Sequence, residues 1–120
     1  MGRAEDLQVY KQSFELAVEI HTLVKSFPQE ERYLLSDQIR RSSRSVCANM
    51  AEGYRKRHYK KYFISKLTDA AGENAETSVW LDFSKEFGYI DAMTYGRLKL
   101  KNENISRLIA FIMQNPERFS

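Results

Sequence analysis

The residues best suited to chemistry lie between Arg40 and Lys66. Nine Lys or Arg fall in that stretch (40, 41, 44, 55, 56, 57, 60, 61 and 66) against one acid, Glu52, a net +8. The rest of the chain holds 10 basic and 15 acidic residues, a net −5. Cations gathered this way suit a polyanion, because several of them engage phosphates together and release counterions. Arg40, Arg41, Arg44, Arg55, Lys56, Arg57, Lys60 and Lys61 are therefore the candidate contacts to nucleic acid, RNA or DNA. Tyr54, Tyr59 and Tyr62 are interleaved with them, and aromatic rings stack on unpaired bases. The plainer reading is a solvated basic surface, with Arg40 and Arg41 paired to Glu52 or to acids of a neighbouring subunit and the tyrosines in the core. An acidic protein surface is the alternative partner.

Little else carries chemistry. Gln38, Asn49 and Glu52 have no nucleophile or base beside them, and read as a polar network tying one helix to the next or to a neighbouring subunit. Asn74 and Glu76 read the same way. His21 and His58 lack companions at ligand spacing, so no metal is expected. Cys47 reads as a small core residue. There is no glycine-rich phosphate loop, zinc spacing or catalytic triad motif, so neither an enzyme nor a cofactor is expected. Trp80, Phe83, Phe87 and Tyr89 crowd one region and suit core or subunit interface. A single cysteine fits a reducing compartment, and MGRAED lacks the apolar core of a secretion signal. The longest apolar run, Leu108 to Met113, is too short to span a bilayer, so no membrane partner is expected and a cytoplasmic protein is.

These residues need a scaffold, and 120 residues with 42% hydrophobic content supply one domain, 1–120. Apolar residues recur at three- and four-residue steps in four segments. The first, about 6–26, carries Leu7, Tyr10, Phe14, Ala17, Ile20 (or His21) and Val24, and ends at Pro28. The second, 36–53, has Ser36 as its cap and Gly53 as its stop, with Ile39, Ser43, Val46, Cys47, Met50 and Tyr54 on the inner side. Tyr33, Leu34 and Leu35 precede it and suit a plug for one end. The third, about 58–87, presents Tyr59, Phe63, Leu67, Ala70 or Ala71, Asn74, Thr77 and Leu81, and stops at Gly88. Gly72 in its interior implies close packing, since glycine there costs about 1 kcal/mol against alanine. The fourth, 92–114, follows the cap Asp91, with Tyr95, Leu98, Asn102, Ile105, Leu108, Ile109 and Ile112 inward. With short connections and no strand pattern, the fold class is all-α, an antiparallel up-down four-helix bundle.

Gln38, Ile39, Arg40, Arg41, Ser45, Val46, Asn49, Met50, Ala51, Glu52 and Gly53, followed by Ala70, Gly72 and Glu76, form a combined pattern. It resembles that of the 23S rRNA intervening-sequence protein, or S23-like, family. DLQVYKQSFELAVEIH is similar to that family's first helix, so the resemblance covers nearly the whole chain. Glu73 departs from the family's more usual Ser. The resemblance implies a four-helix bundle assembling as a homo-oligomer, commonly a pentameric ring. It also implies a distant similarity to the accessory proteins of diversity-generating retroelements, which assist a reverse transcriptase and have a basic surface. The expected function is a non-enzymatic bundle binding nucleic acid, with an adaptor for a reverse transcriptase or another nucleic-acid enzyme as the alternative.

Overall fold

The computed structural model describes residues 2–4 and 7–119. Four helices account for most of them: α1 Gln8–Leu23, α2 Leu35–Arg55, α3 Lys60–Glu86 and α4 Ala92–Gln114. No strand is present among the described residues. Each helix packs on its neighbours in the order α1, α2, α3, α4 and back to α1, most extensively between α2 and α3. The result is an all-α bundle of 44 × 25 × 19 Å. No helix is long and apolar enough to cross a membrane.

α1 departs from the expected inner face. Leu7, Val9, Ser13, Leu16, Ile20 and Val24 are buried, whereas Phe14 is 53% exposed. Two adjacent apolar rows run along α1, and helical periodicity cannot say which of them faces the core. The inner row includes a serine, whose hydroxyl is partnered by Cys47 Sγ at 3.1 Å. Phe27 is extended (φ −72°, ψ 154°) before Pro28, as a pre-proline residue prefers. Asp6, the expected start of helix 1, lies outside the described residues.

α2 differs from expectation at both ends. Ser36 is buried inside the first turn and does not cap it. The Leu35 amide instead donates to Glu31 Oε1 at 3.4 Å. Leu35 is buried, but Tyr33 and Leu34 are 76% and 63% exposed, so only one of the three closes the bundle end. Gly53 is not a stop; α2 continues through it to Arg55. Its glycine answers to space instead. A Cβ there would stand 2.8 Å from Lys66 Cβ on α3. The inner face itself is as expected: Ile39, Ser43, Val46, Cys47, Met50 and Tyr54 are all buried.

α3 buries Phe63, Leu67, Ala70, Asn74, Thr77 and Leu81, while Tyr59 lies outside the core. Gly72 is exposed and an added Cβ would meet nothing within 4 Å, which overturns the close packing expected there. Gly88 ends the helix in the left-handed region (φ 77°). Its amide reaches the Lys85 carbonyl at 3.0 Å and that of Tyr89 reaches Ser84 at 2.9 Å, a Schellman closure. Asp91 caps α4 by accepting from the Thr94 amide at 2.7 Å. Asn74 and Asn102 bond across the α3–α4 contact at 2.9–3.0 Å, so their buried amides are satisfied.

The two glycines give opposite expectations. Gly72→Ala should raise stability by about 1 kcal/mol, by removing backbone entropy at an open position. Gly53→Ala should lower it, because Lys66 Cβ cannot move without displacing the helix. Urea midpoints of the two variants check both signs.

Candidate nucleic-acid interface

The α2–α3 connection is built around two buried rings. Tyr54, 2% exposed, meets Phe63 edge-on with centroids 6.5 Å apart. Burying a side chain of that size is worth about 2 kcal/mol, whereas two like charges about 7 Å apart in water repel by only about 0.6 kcal/mol. The core therefore holds a turn crowded with cations. Three backbone bonds close it: Lys56 N to Gly53 O (3.2 Å), Arg57 N to Tyr54 O (3.2 Å) and Tyr59 N to Lys56 O (2.9 Å).

The side chains of the turn divide into anchors and free groups. Arg57 is half-buried; its guanidinium lies 4.2 Å from the Tyr54 ring centroid and donates to the Tyr54 carbonyl at 3.0 Å. The Lys56 ammonium stands 5.0 Å from the Tyr62 ring centroid. Arg55, His58, Tyr59, Lys60 and Lys61 are exposed. Among the described residues, no carboxylate pairs with Arg55, Lys60 or Lys61. α3 starts beside them with no acidic residue in its first turn and no side-chain cap, so its positive dipole end adds to the same field.

Glu52, the one acid of the basic stretch, is held back from this group. The Tyr62 hydroxyl donates to it at 2.6 Å and the Lys66 ammonium lies 3.4 Å away. That bond and that cation keep the Glu52 carboxyl below its ordinary range, and the same bond raises the Tyr62 phenol. The pairing of Glu52 with Arg40 or Arg41, one form of the plainer reading, is not formed among the described residues.

The other candidate cations lie farther along α2, Arg44 about 16 Å from Arg55 at 1.5 Å per residue. Arg40 is 3.9 Å from Asp37. Arg41 is exposed and acts on Glu73 of α3, whose carboxyl partial burial and Glu76 push up while Arg41 opposes them. Arg44 donates to His21 Nδ1 at 3.1 Å on the α1 side. The structure thus brings Arg55, Lys56, Arg57, Lys60 and Lys61 together at one end of the bundle. It spreads Arg40, Arg41 and Arg44 along α2. His58 belongs with the end group and is absent from the sequence-derived set; its place between Arg57 and Tyr59 was the available signal. Asn49 donates to the Ser45 carbonyl of its own helix at 2.9 Å, so no Gln38–Asn49–Glu52 network forms. Cys47 is buried, and that burial raises its thiol. No group of three or more His, Cys, Asp or Glu able to hold a metal occurs among the described residues.

Apolar grooves also open on the surface of the described residues. One of about 500 Å³ lies between α1 and α2, lined by Phe14, Val18, Ala48 and Ala51 among others. A second, of about 460 Å³, includes Tyr33, Leu34, Trp80, Phe83 and Phe87.

The family model for the 23S rRNA-intervening sequence protein matches residues 5–110. The chain belongs to that family. A solved structure from Bacteroides thetaiotaomicron, described as a protein with unknown function from the S23 ribosomal protein family, is similar to it, with 30% identity and a TM-score of 0.80. That match covers 89% of this chain and 96% of the other. No curated protein matches. In this member of the 23S rRNA-intervening sequence family, much of the sequence pattern is packing. Ile39, Val46, Met50 and Ala70 are fully or nearly fully buried, and Gly53 sets the α2–α3 approach.

Glu52→Gln should bring the Tyr62 phenol back down toward the ordinary tyrosine range, because it removes the charged acceptor. In the parent, the bond stabilises the fold below the ordinary tyrosine pKa and is lost as pH rises through the raised value. NMR titration of ring-labelled tyrosine checks this.

Proposed function

We propose that this chain is a non-enzymatic, oligomeric helical bundle of the cytoplasm that binds nucleic acid, RNA or DNA, through the α2–α3 end. One observation carries the reading. Between Gly53 and Asp69 the chain has six Lys or Arg and no acid, and three of these cations are exposed at a braced turn without a carboxylate partner among the described residues. Unpaired cations on a rigid surface engage phosphates without first breaking ion pairs. Arg40, Arg41 and Arg44 extend the same positive field along α2.

The two open grooves support assembly. They are different surfaces of one chain, so a contact between copies that seats one on the other is heterologous and closes into a ring when the rotation permits. The pentamer implied by family resemblance is one such closure. A ring repeats the basic end in every copy and multiplies weak phosphate contacts. The adaptor reading is favoured by one observation, the exposed aromatic edge Phe83 and Phe87. There a protein partner, such as a nucleic-acid enzyme, would find the side chains enriched at interfaces.

Binding to labelled RNA and DNA across a salt series tests the central reading. Affinity should fall steeply with salt, and Arg55→Glu/Lys60→Glu/Lys61→Glu should flatten the log–log slope for a single strand by about 2. Absence of binding at low salt would leave the adaptor reading. Light scattering of the purified protein tests assembly: several copies are expected, with Phe14→Asp or Phe87→Asp shifting the mass toward one. A monomeric parent at micromolar concentration would remove the oligomer.

A further inference from the structure

The three tyrosines of the basic stretch have separate fates. Tyr54 is core, and its ring already carries the Arg57 guanidinium. Tyr62 is half-buried, its hydroxyl committed to Glu52 and its ring attended by the Lys56 and Lys66 ammonium groups at 5.0 and 5.9 Å. Tyr59 alone is free. It is 70% exposed, it lies at the head of α3, and among the described residues no ring or side chain bonds it. Nothing in the packing of the bundle requires an aromatic residue there, and leaving a large ring in water forgoes the gain of burying it.

Its surroundings suit one kind of ligand. His58 and Lys60 flank Tyr59 directly, and Arg57 and Lys61 follow at two residues on either side. The backbone bond from Tyr59 N to Lys56 O and the buried Tyr54–Phe63 pair fix the turn that presents the ring. A projecting ring on a fixed turn, set among cations, matches a base and the phosphates on either side of it. In a duplex both faces of each internal base are covered by its neighbours, so a projecting ring finds no face to stack on. An unpaired base offers one.

We infer that Tyr59 is a stacking platform and that the α2–α3 end takes single-stranded nucleic acid, or the loop of a folded RNA, in preference to duplex. This rests on the nucleic-acid reading of the same end and adds its substrate class. The shared chemistry is an unpaired base with a phosphate on each side, which RNA and DNA strands both supply. Phosphates supply most of the attraction, and Tyr59 supplies the discrimination between open and paired bases.

The test compares 12-nucleotide single-stranded RNA, single-stranded DNA, the corresponding duplexes and an RNA hairpin, at one fixed salt concentration. The parent protein should bind single strands and the hairpin loop more tightly than duplex. Tyr59→Ala should weaken single-strand binding about tenfold or more and leave duplex binding unchanged, on the usual strength of base–aromatic stacking. Tyr59→Phe should keep affinity within about twofold, because the ring and not the hydroxyl makes the contact. Comparison of the RNA and DNA strands identifies the source of the base. Equal loss on single strands and duplex, or no loss in Tyr59→Ala, overturns the platform while leaving phosphate binding in place. Tighter duplex binding by the parent does the same. Failure to bind any of these nucleic acids at low salt removes both this inference and the reading beneath it.

Discussion

The close approach of α2 and α3 at Gly53 is the constraint on which the basic end depends. The 2.8 Å that would separate a Cβ at Gly53 from Lys66 Cβ leaves no room for any side chain. That contact lets Tyr54 lie against Phe63 and brings Lys66 to Glu52. Farther along the same pair, Ser42 and Thr77 hydroxyls meet at 2.8 Å inside the core. Small residues on both helices thus allow a tight pair, and a short turn closes it.

The consequences for charge follow from that geometry. Glu52 is taken up chiefly by Tyr62 and Lys66 and, of the turn's cations, acts on Lys56, leaving Arg55, Lys60 and Lys61 without a carboxylate partner among the described residues. On α4, three cations are matched by carboxylates. Lys101 pairs with Glu15 and Glu19, Arg97 with Glu19, and Lys99 with Asp82. Burial works against the Glu19 charge, yet Lys101 and Arg97 outweigh it and hold that carboxyl below its usual range. Pairing on the α1–α4 and α3–α4 sides, against the unpaired Arg55, Lys60 and Lys61 at the α2–α3 turn, concentrates positive charge at that turn. Such a distribution steers a polyanion to one place rather than coating the protein with it.

Much of this bundle is legible in the chain itself. The inner faces of α2 and α4, most of that of α3, the Asp91 cap and the Gly88 stop all follow from periodicity and local backbone chemistry. Those signals are local, and the structure realises them locally. What periodicity cannot carry is choice between equivalent rows, as in α1, where Tyr10, Phe14 and Ala17 compete with Val9, Ser13 and Leu16. Nor can it carry the reason for a glycine. Gly53 and Gly72 both sit in helices, and only the neighbouring helix shows that one is required by space and the other is open. The basic stretch is visible as composition, but the division of its tyrosines and arginines into anchors and free groups depends on contacts made in three dimensions.

Contact mapping tests the central claim most directly. RNA carrying 4-thiouridine, bound to the intact protein and photo-crosslinked, can be digested with a glutamate-specific protease. Cleavage after Glu52 and Glu73 isolates the α2–α3 end as the peptide 53–73. If that end is the nucleic-acid surface, crosslinks concentrate in this peptide and disappear at high salt. Crosslinks confined to α1 or α4, or none at RNA concentrations well above the protein's, would contradict it.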